Sequence, residues 1–335
     1  MYKKKKKTKG HWTTFIDLRS FNPDCVLFDV DGVLVDIRKS YNIAIKKTVD
    51  FILEHITAKS TLHGLVTDKL ILKLRQTGGF NNDIDASYAI ILATLANLQN
   101  NLQQARRFLF TVIKNIDVSG INSVENFLSS YSSPCHIKSL KELLVYPESV
   151  GKSMLATVFD ELFYGPQLFK EYHRLEPKYY FGKPLIENDR LIATKRTMDL
   201  LSEKFKGNLA IVSGRSRLAA EYSLTSILDT FNQKACVFLE DEKREYAKPN
   251  PYSIEKAMKT MNCTSAIYAG DSVEDLLMAQ RAEKEMGFKI AFFGIYGYTT
   301  QPRQTMHQLR KNGAAGIIRS INLLPNILNK VLADV

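Results

Sequence analysis

Short, unbroken apolar runs alternate with amphipathic stretches along the second half of the chain, and one such run stands alone near the start. Cys25-Val26-Leu27-Phe28 reads as a strand buried on both faces. The same pattern returns in Leu209–Val212, Ala235–Phe238, Ala266–Ala269 and Ile290–Phe293, with a further edge strand expected at Gly316-Ile317-Ile318. Helical periodicity fills the gaps: Leu191 to about Lys206, Arg217–Leu228, Pro251–Met261, Val273–Lys284 and Ile321–Leu332. Strands that alternate with helices imply an α/β fold built on a mostly parallel, doubly wound sheet.

The span between the first run and the others has a different texture. Ile45, Val49, Ile52 and Ile56 fall on one helical face, Thr67 to Arg75 gives a second short helix, and Tyr88, Ile91, Leu95, Leu98 and Leu102 predict one long helix with Asp85 as its N-cap. Between them, Gly78-Gly79-Phe80-Asn81-Asn82-Asp83-Ile84-Asp85 is a turn-rich loop carrying an aromatic expected to be exposed. It reads either as a helix connection or as a specificity loop that offers Phe80, Asn81, Asn82 and Asp83 to a substrate. Residues 115–150 are rich in serine and suggest short helices at most. Residues 159–184 interleave aromatics (Phe159, Phe163, Tyr164, Phe169, Tyr172, Tyr179, Tyr180, Phe181) with basic residues, a composition suited to packing or to base stacking.

The candidate chemistry sits where the first strand ends. Asp29 is the first polar residue after the apolar run, at the carboxyl edge where open α/β sheets place their ligands. Asp31 follows two positions on, and Gly32 lets the chain turn tightly. Two carboxylates this close need a cation between them or a shared proton.

Asp29-Val30-Asp31-Gly32-Val33-Leu34-Val35-Asp36 resembles the first motif, DxDGxLxD, of the haloacid dehalogenase superfamily. The other three motifs follow in order: Val212-Ser213-Gly214-Arg215, then Lys248-Pro249, then Gly270-Asp271-Ser272-Val273-Glu274-Asp275. The resemblance covers roughly residues 21–36 and 190–325. It implies a catalytic core of residues 21–36 plus 190–335, and an inserted helical cap over residues 37–189, similar to the C1 cap of subfamily IA but longer. It further implies a phosphoaspartate on Asp29, with Asp31 as general acid and base, Ser213 and Gly214 at the phosphate, and Lys248 neutralising charge while pairing with Asp29. Mg²⁺ would be held by the Asp29 carboxylate, the Asp31 carbonyl and Asp271, with Asp275 either an additional ligand or just outside the ligands. Asp275 could equally be a helix N-terminal charge, and Arg215 either a phosphate contact or a surface ion pair. The implied activity is Mg²⁺-dependent hydrolysis of a small phosphorylated metabolite. The rivals are a phosphomutase and a phosphate- or RNA-binding protein that keeps the fold. Asp83 and Asp85, if turned to the site, would favour an amine-bearing ester over an acidic one.

Composition changes this picture little. At 335 residues, with 45% hydrophobic and 24% charged positions, two soluble domains are expected. No apolar run is long enough for a membrane span, and the initial lysines precede no apolar segment, so neither a membrane partner nor a secretory signal is expected. Cys25, Cys135, Cys236 and Cys263 lack metal-binding spacing and read as buried thiols in a reducing, cytoplasmic setting. Of the net charge of +11, six units are Lys3 to Lys7 and Lys9, in a stretch over residues 1–20 expected to be a disordered tail with at most a weak nucleic-acid contact. Oligomeric state is not legible.

Overall fold

The computed structural model describes residues 12–14, 21–58, 60–80, 82–99, 101–299 and 301–332, of which 12–14 and 331–332 by backbone alone. Two compact units result: residues 1–37 with 190–335, and residues 38–189. Among the described residues, no helix is long and apolar enough to cross a membrane.

The first unit is built on a seven-stranded sheet. Its strands are β1 (Trp12–Thr14), β2 (Cys25–Phe28), β5 (Leu209–Ser213), β6 (Val237–Phe238), β7 (Ser265–Gly270), β8 (Lys289–Ile295) and β9 (Gly316–Ile318), while β3 (Val35–Asp36) and β4 (Arg190–Leu191) form a separate antiparallel pair. The spatial order is β1-β9-β8-β7-β2-β5-β6, and every pairing is parallel except that of β1 with β9. The apolar runs are continuous because both faces are covered: all residues of β2, and Leu209 to Val212 of β5, are wholly inaccessible. Strand β1 corrects the expectation of a disordered tail over residues 1–20, since Trp12–Thr14 pair with Ile318 to Gly316. The lysines before it lie outside the described residues.

Helices of this unit are α8 (Lys195–Lys204), α9 (Arg217–Leu224), α10 (Tyr252–Thr260), α11 (Val273–Met286), α12 (Pro302–Lys311) and α13 (Leu324–Leu332). Several start on a hydroxyl side chain that accepts a backbone N–H of the first turn: Thr194 for α8, Ser216 for α9 and Ser272 for α11.

The second unit is all helical: α1 (Tyr41–Thr57), α2 (Asp68–Arg75), α3 (Asp83–Ala96), α4 (Leu102–Lys114), α5 (Ile121–Leu128), α6 (Pro134–Leu143) and α7 (Met154–His173). Three expectations need correction here. The single long helix is two, because the chain leaves helical geometry at Asn97 and restarts where Asn101 caps α4. The N-cap of α3 is Asn82, whose side chain accepts from the N–H of Ile84 and Asp85, so Asp85 lies inside the first turn. Phe80 is buried completely.

The serines of residues 115–150 have a structural reason. Ser133 caps α6, and the hydroxyls of Ser123, Ser129, Ser130 and Ser139 donate to carbonyls three or four residues back. Phe159, Phe163, Tyr164 and Phe169 are core residues of this unit, which favours packing over base stacking for that stretch, although Phe181 is exposed. Gly165, at φ +65°, and Pro166 break α7 in the middle. Beside them, Glu161 is fully buried and accepts the N–H groups of Lys178, Tyr179 and Tyr180 at 2.7, 2.6 and 2.8 Å.

Candidate active site

Parallel register brings the ends of three strands to one edge of the sheet. Phe28 of β2 lies between Ile211 of β5 and Ala269 of β7, so Asp29, Ser213 and Asp271 all emerge there. The Asp29 N–H continues the ladder by donating to the Ala269 carbonyl at 2.9 Å. Gly32, at φ +75°, turns the chain back, and a Cβ at this position would come within 2.2 Å of Asp271 Oδ2. The turn therefore admits only glycine without displacing that carboxylate.

Lys248 ties the edge together. Its ammonium lies 2.9 Å from Asp29 Oδ1 and 2.6 Å from Asp275 Oδ1, and all three side chains are nearly or wholly buried. Burial works against charge on Lys248, but Asp275 and Asp29 hold its pKa above the usual lysine range. Asp275 is pushed up by burial and pulled further down by Lys248, so its carboxyl falls below its ordinary value. For Asp29 burial wins over Lys248, and its pKa is raised.

Asp275 has further anchors. Tyr268 donates its hydroxyl at 2.7 Å and Ser272 at 2.6 Å, while the Asp275 N–H donates to Ser272 Oγ at 3.0 Å. This is a capping box at the start of α11, so the helix-terminal reading of Asp275 holds, and its contact with Lys248 adds a second task. The Ser272-x-x-Asp275 spacing was a legible signal for the first. Nothing local in the sequence pointed to Tyr268 as a partner.

Asp29, Asp271 and Asp275 each offer a carboxylate oxygen, and these lie within 4.8 Å of one another. The donors are all hard oxygens, as a Mg²⁺-like cation prefers. Burial, then Asp275 and Asp29, raise the Asp271 pKa well above the carboxylate range, the signature of negative charge crowded without enough compensation. Within this set the four carboxylates Asp29, Asp31, Asp271 and Asp275 face two cations, Lys248 and Arg215. The residues thus fit a divalent cation.

Arg215 is not at the surface, contrary to one of its two expected readings. Its side chain is fully buried, with Nη2 2.8 Å from Asp31 Oδ1 and Nη1 donating to Ser223 Oγ at 2.7 Å and to the Ala219 carbonyl at 3.3 Å. Asp31 therefore stands apart from the carboxylate trio, its side chain held by a guanidinium. Ser213 is buried, and its hydroxyl accepts the Arg215 N–H at 3.3 Å. Arg215→Lys cannot keep the contacts to Asp31 and Ser223 together, and a loss of about 1–3 kcal/mol is expected in a denaturant titration.

Residues 80–83 belong to the second unit. Asn81 lies outside the described residues. Phe80 is core, Asn82 is the α3 cap, and Asp83 accepts from Arg75 Nη2 at 2.6 Å. Asp85 accepts from the Tyr146 hydroxyl at 2.6 Å. Gly79 packs so closely on Gly120 that a Cβ would lie 2.6 Å from the Gly120 Cα, which accounts for the glycine in this loop. With both acids engaged inside their own unit, the inference toward an amine-bearing ester loses its support.

The model of haloacid dehalogenase-like hydrolases matches residues 159–283, a span that includes Ser213, Lys248, Asp271 and Asp275. Over that span the chain is similar to haloacid dehalogenase-like hydrolases. No curated protein sequence matches the chain. Among solved structures, a structural-genomics target, ZR25, superposes with a TM-score of 0.60 at 18% identity, covering 92% of this chain and 99% of its own. Phosphatase Tt82 from Thermococcus thioreducens superposes with a TM-score of 0.55 at 21% identity, over 86% of this chain and 99% of its own. At these identities the likeness is one of fold. The carboxyl-edge cluster lies in the unit that holds most of the matched span.

Proposed function

We propose that this protein is a Mg²⁺-dependent phosphomonoester hydrolase of small phosphorylated metabolites, working through a phosphoaspartate on Asp29. The observation that carries the reading is Lys248, which grips Asp29 from within a buried cluster of carboxylates at the carboxyl edge of a parallel sheet. A similar fold in a protein named as a phosphatase supports it.

In this reading an Asp29 oxygen attacks phosphorus and the ester oxygen leaves with a proton from Asp31. Asp31 then takes a proton from the water that opens the acyl phosphate, and inorganic phosphate is released. Arg215 fixes the orientation of Asp31 through the transfer. Ser213 and the Gly214 backbone bind non-bridging phosphate oxygens, and the Lys248 ammonium opposes the charge that builds on them. Asp29, Asp271 and Asp275, with the Asp31 carbonyl, would hold Mg²⁺, which offsets the repulsion between phosphate dianion and carboxylates. Four cysteines without a disulfide suit a reducing, cytoplasmic compartment; Cys25, Cys236 and Cys263 are buried as expected, whereas Cys135 is exposed.

The test is phosphate release from a panel of metabolite monophosphates, with Mg²⁺ and with the metal chelated. Turnover of at least one ester is expected with the metal and none without it. A blank panel on folded protein would remove the hydrolase reading, and turnover that depends on added sugar bisphosphate would replace it with a phosphomutase.

A further inference from the structure

The hydroxyl of Tyr268 is aimed at the charged cluster from the middle of the sheet. Tyr268 lies in β7, the strand beside β2, and is wholly buried. Its neighbours in register are Leu27 on β2 and Phe292 on β8, and the Phe292 ring meets its own edge-to-face with 5.6 Å between centroids. Packing on both sides of a central strand leaves such a ring little freedom, so the direction of its hydroxyl is set by the sheet.

Tyr268 and Gly270 share one face of β7. A Cβ at Gly270 would come within 2.6 Å of the Asp275 Cβ, so the bare glycine lets Asp275 lie back over the end of the strand, within reach of the hydroxyl. There Asp275 Oδ1 accepts from Tyr268 at 2.7 Å and faces the Lys248 ammonium at 2.6 Å, while Oδ2 is engaged by Ser272. A carboxylate oxygen offers about two acceptor directions. With the hydroxyl in one of them, the ammonium is confined to the other, from which it also reaches Asp29 Oδ1 at 2.9 Å.

We infer that Tyr268 is a positioning residue for the reaction at Asp29: by occupying one acceptor direction of Asp275 Oδ1, its hydroxyl holds the Lys248 ammonium where it can also grip Asp29. Without the hydroxyl, the ammonium can turn toward the vacated direction on Asp275 at the expense of its longer contact, the one to Asp29. The consequence for turnover rests on the hydrolase reading of the site, whereas the placement of the ammonium does not.

The test compares the parent with Tyr268→Phe, which keeps the ring and removes the hydroxyl. The control is Ser265→Ala, at the opposite end of the same strand, where the hydroxyl donates to the Asn22 carbonyl at 2.8 Å, away from the site. One readout is the Lys248 ammonium itself, observed by NMR in protein carrying isotope-labelled lysine and identified as the signal absent from Lys248→Arg. Tyr268→Phe is expected to shift that signal, and Ser265→Ala to leave it in place. The other readout is phosphate release, scaled to folded protein. Tyr268→Phe is expected to lower kcat roughly ten- to a hundredfold with KM near the parent's, since Ser213 and the Gly214 backbone still bind the phosphate, and Ser265→Ala to keep both constants. A hydroxyl that only satisfied a buried carboxylate would cost stability and move neither readout. The proposal fails if the ammonium signal of Tyr268→Phe coincides with the parent's, if Tyr268→Phe turns over at the parent's kcat, or if Ser265→Ala loses kcat as severely. If the parent hydrolyses no ester, the hydrolase reading falls by itself, and the ammonium signal alone decides whether Tyr268 holds Lys248 in place.

Discussion

Asp29→Asn is expected to cut phosphate-ester hydrolysis on the order of a thousandfold or more while leaving the protein at least as stable as the parent. The amide is close in shape to the carboxylate but cannot attack phosphorus. Lys248 keeps its shorter contact, 2.6 Å to Asp275, so the substitution strands no buried cation. It also removes one of four carboxylates crowded against two cations, and a carboxyl that burial already disfavours in its charged form. Phosphate release and thermal unfolding, read on the same preparation, check both halves. Hydrolysis near the parent rate would exclude Asp29 as nucleophile, and loss of activity together with the fold would reduce it to a structural residue.

Lys248→Met acts on the same cluster with the opposite sign. Asp29 and Asp275 would lose their common cation, and Asp271 already carries a strongly raised pKa from its neighbours' charge. Removing one partner from a buried ionic group costs about 3–5 kcal/mol, and that loss is expected in a denaturant titration, together with loss of hydrolysis. The double variant Asp29→Asn/Lys248→Met should recover part of the lost stability, because one of the stranded carboxylates is then neutral. If the two substitutions simply add, the ammonium is not what keeps these carboxylates together.

The sequence made the core legible for a physical reason. A strand covered on both faces leaves a run without alternation, and the polar residue that ends it has to lie at the sheet's edge; β2 and Asp29, and β7 and Asp271, follow that rule. Partnerships across large separations left no such trace. Lys248 and its pairing with Asp29 could be placed by motif, but its second hold, on Asp275, required the fold, as did the burial of Arg215. The loop at 78–85 misled because Phe80, amid glycines and amides, has the composition of an exposed tip. Beside it Gly79 meets Gly120, 41 residues away in sequence, a contact that no local pattern announces. The long helix expected through Leu102 failed because its apolar period runs on past Asn97, whereas the capping amide of Asn101 starts a new helix. Strand β1 is three residues that owe their conformation to β9, so no local pattern announces it.

Asp275 binds the scaffold and the site with the same two oxygens. One accepts from Tyr268 and faces Lys248; the other closes the first turn of α11 against Ser272. The helix cannot fray at that end without drawing Asp275 away from the ammonium, which is then left to Asp29 alone. Protection of the amides in this first turn against hydrogen exchange is thus a clock for the site itself: the rate at which α11 opens there sets how often the charged cluster comes apart.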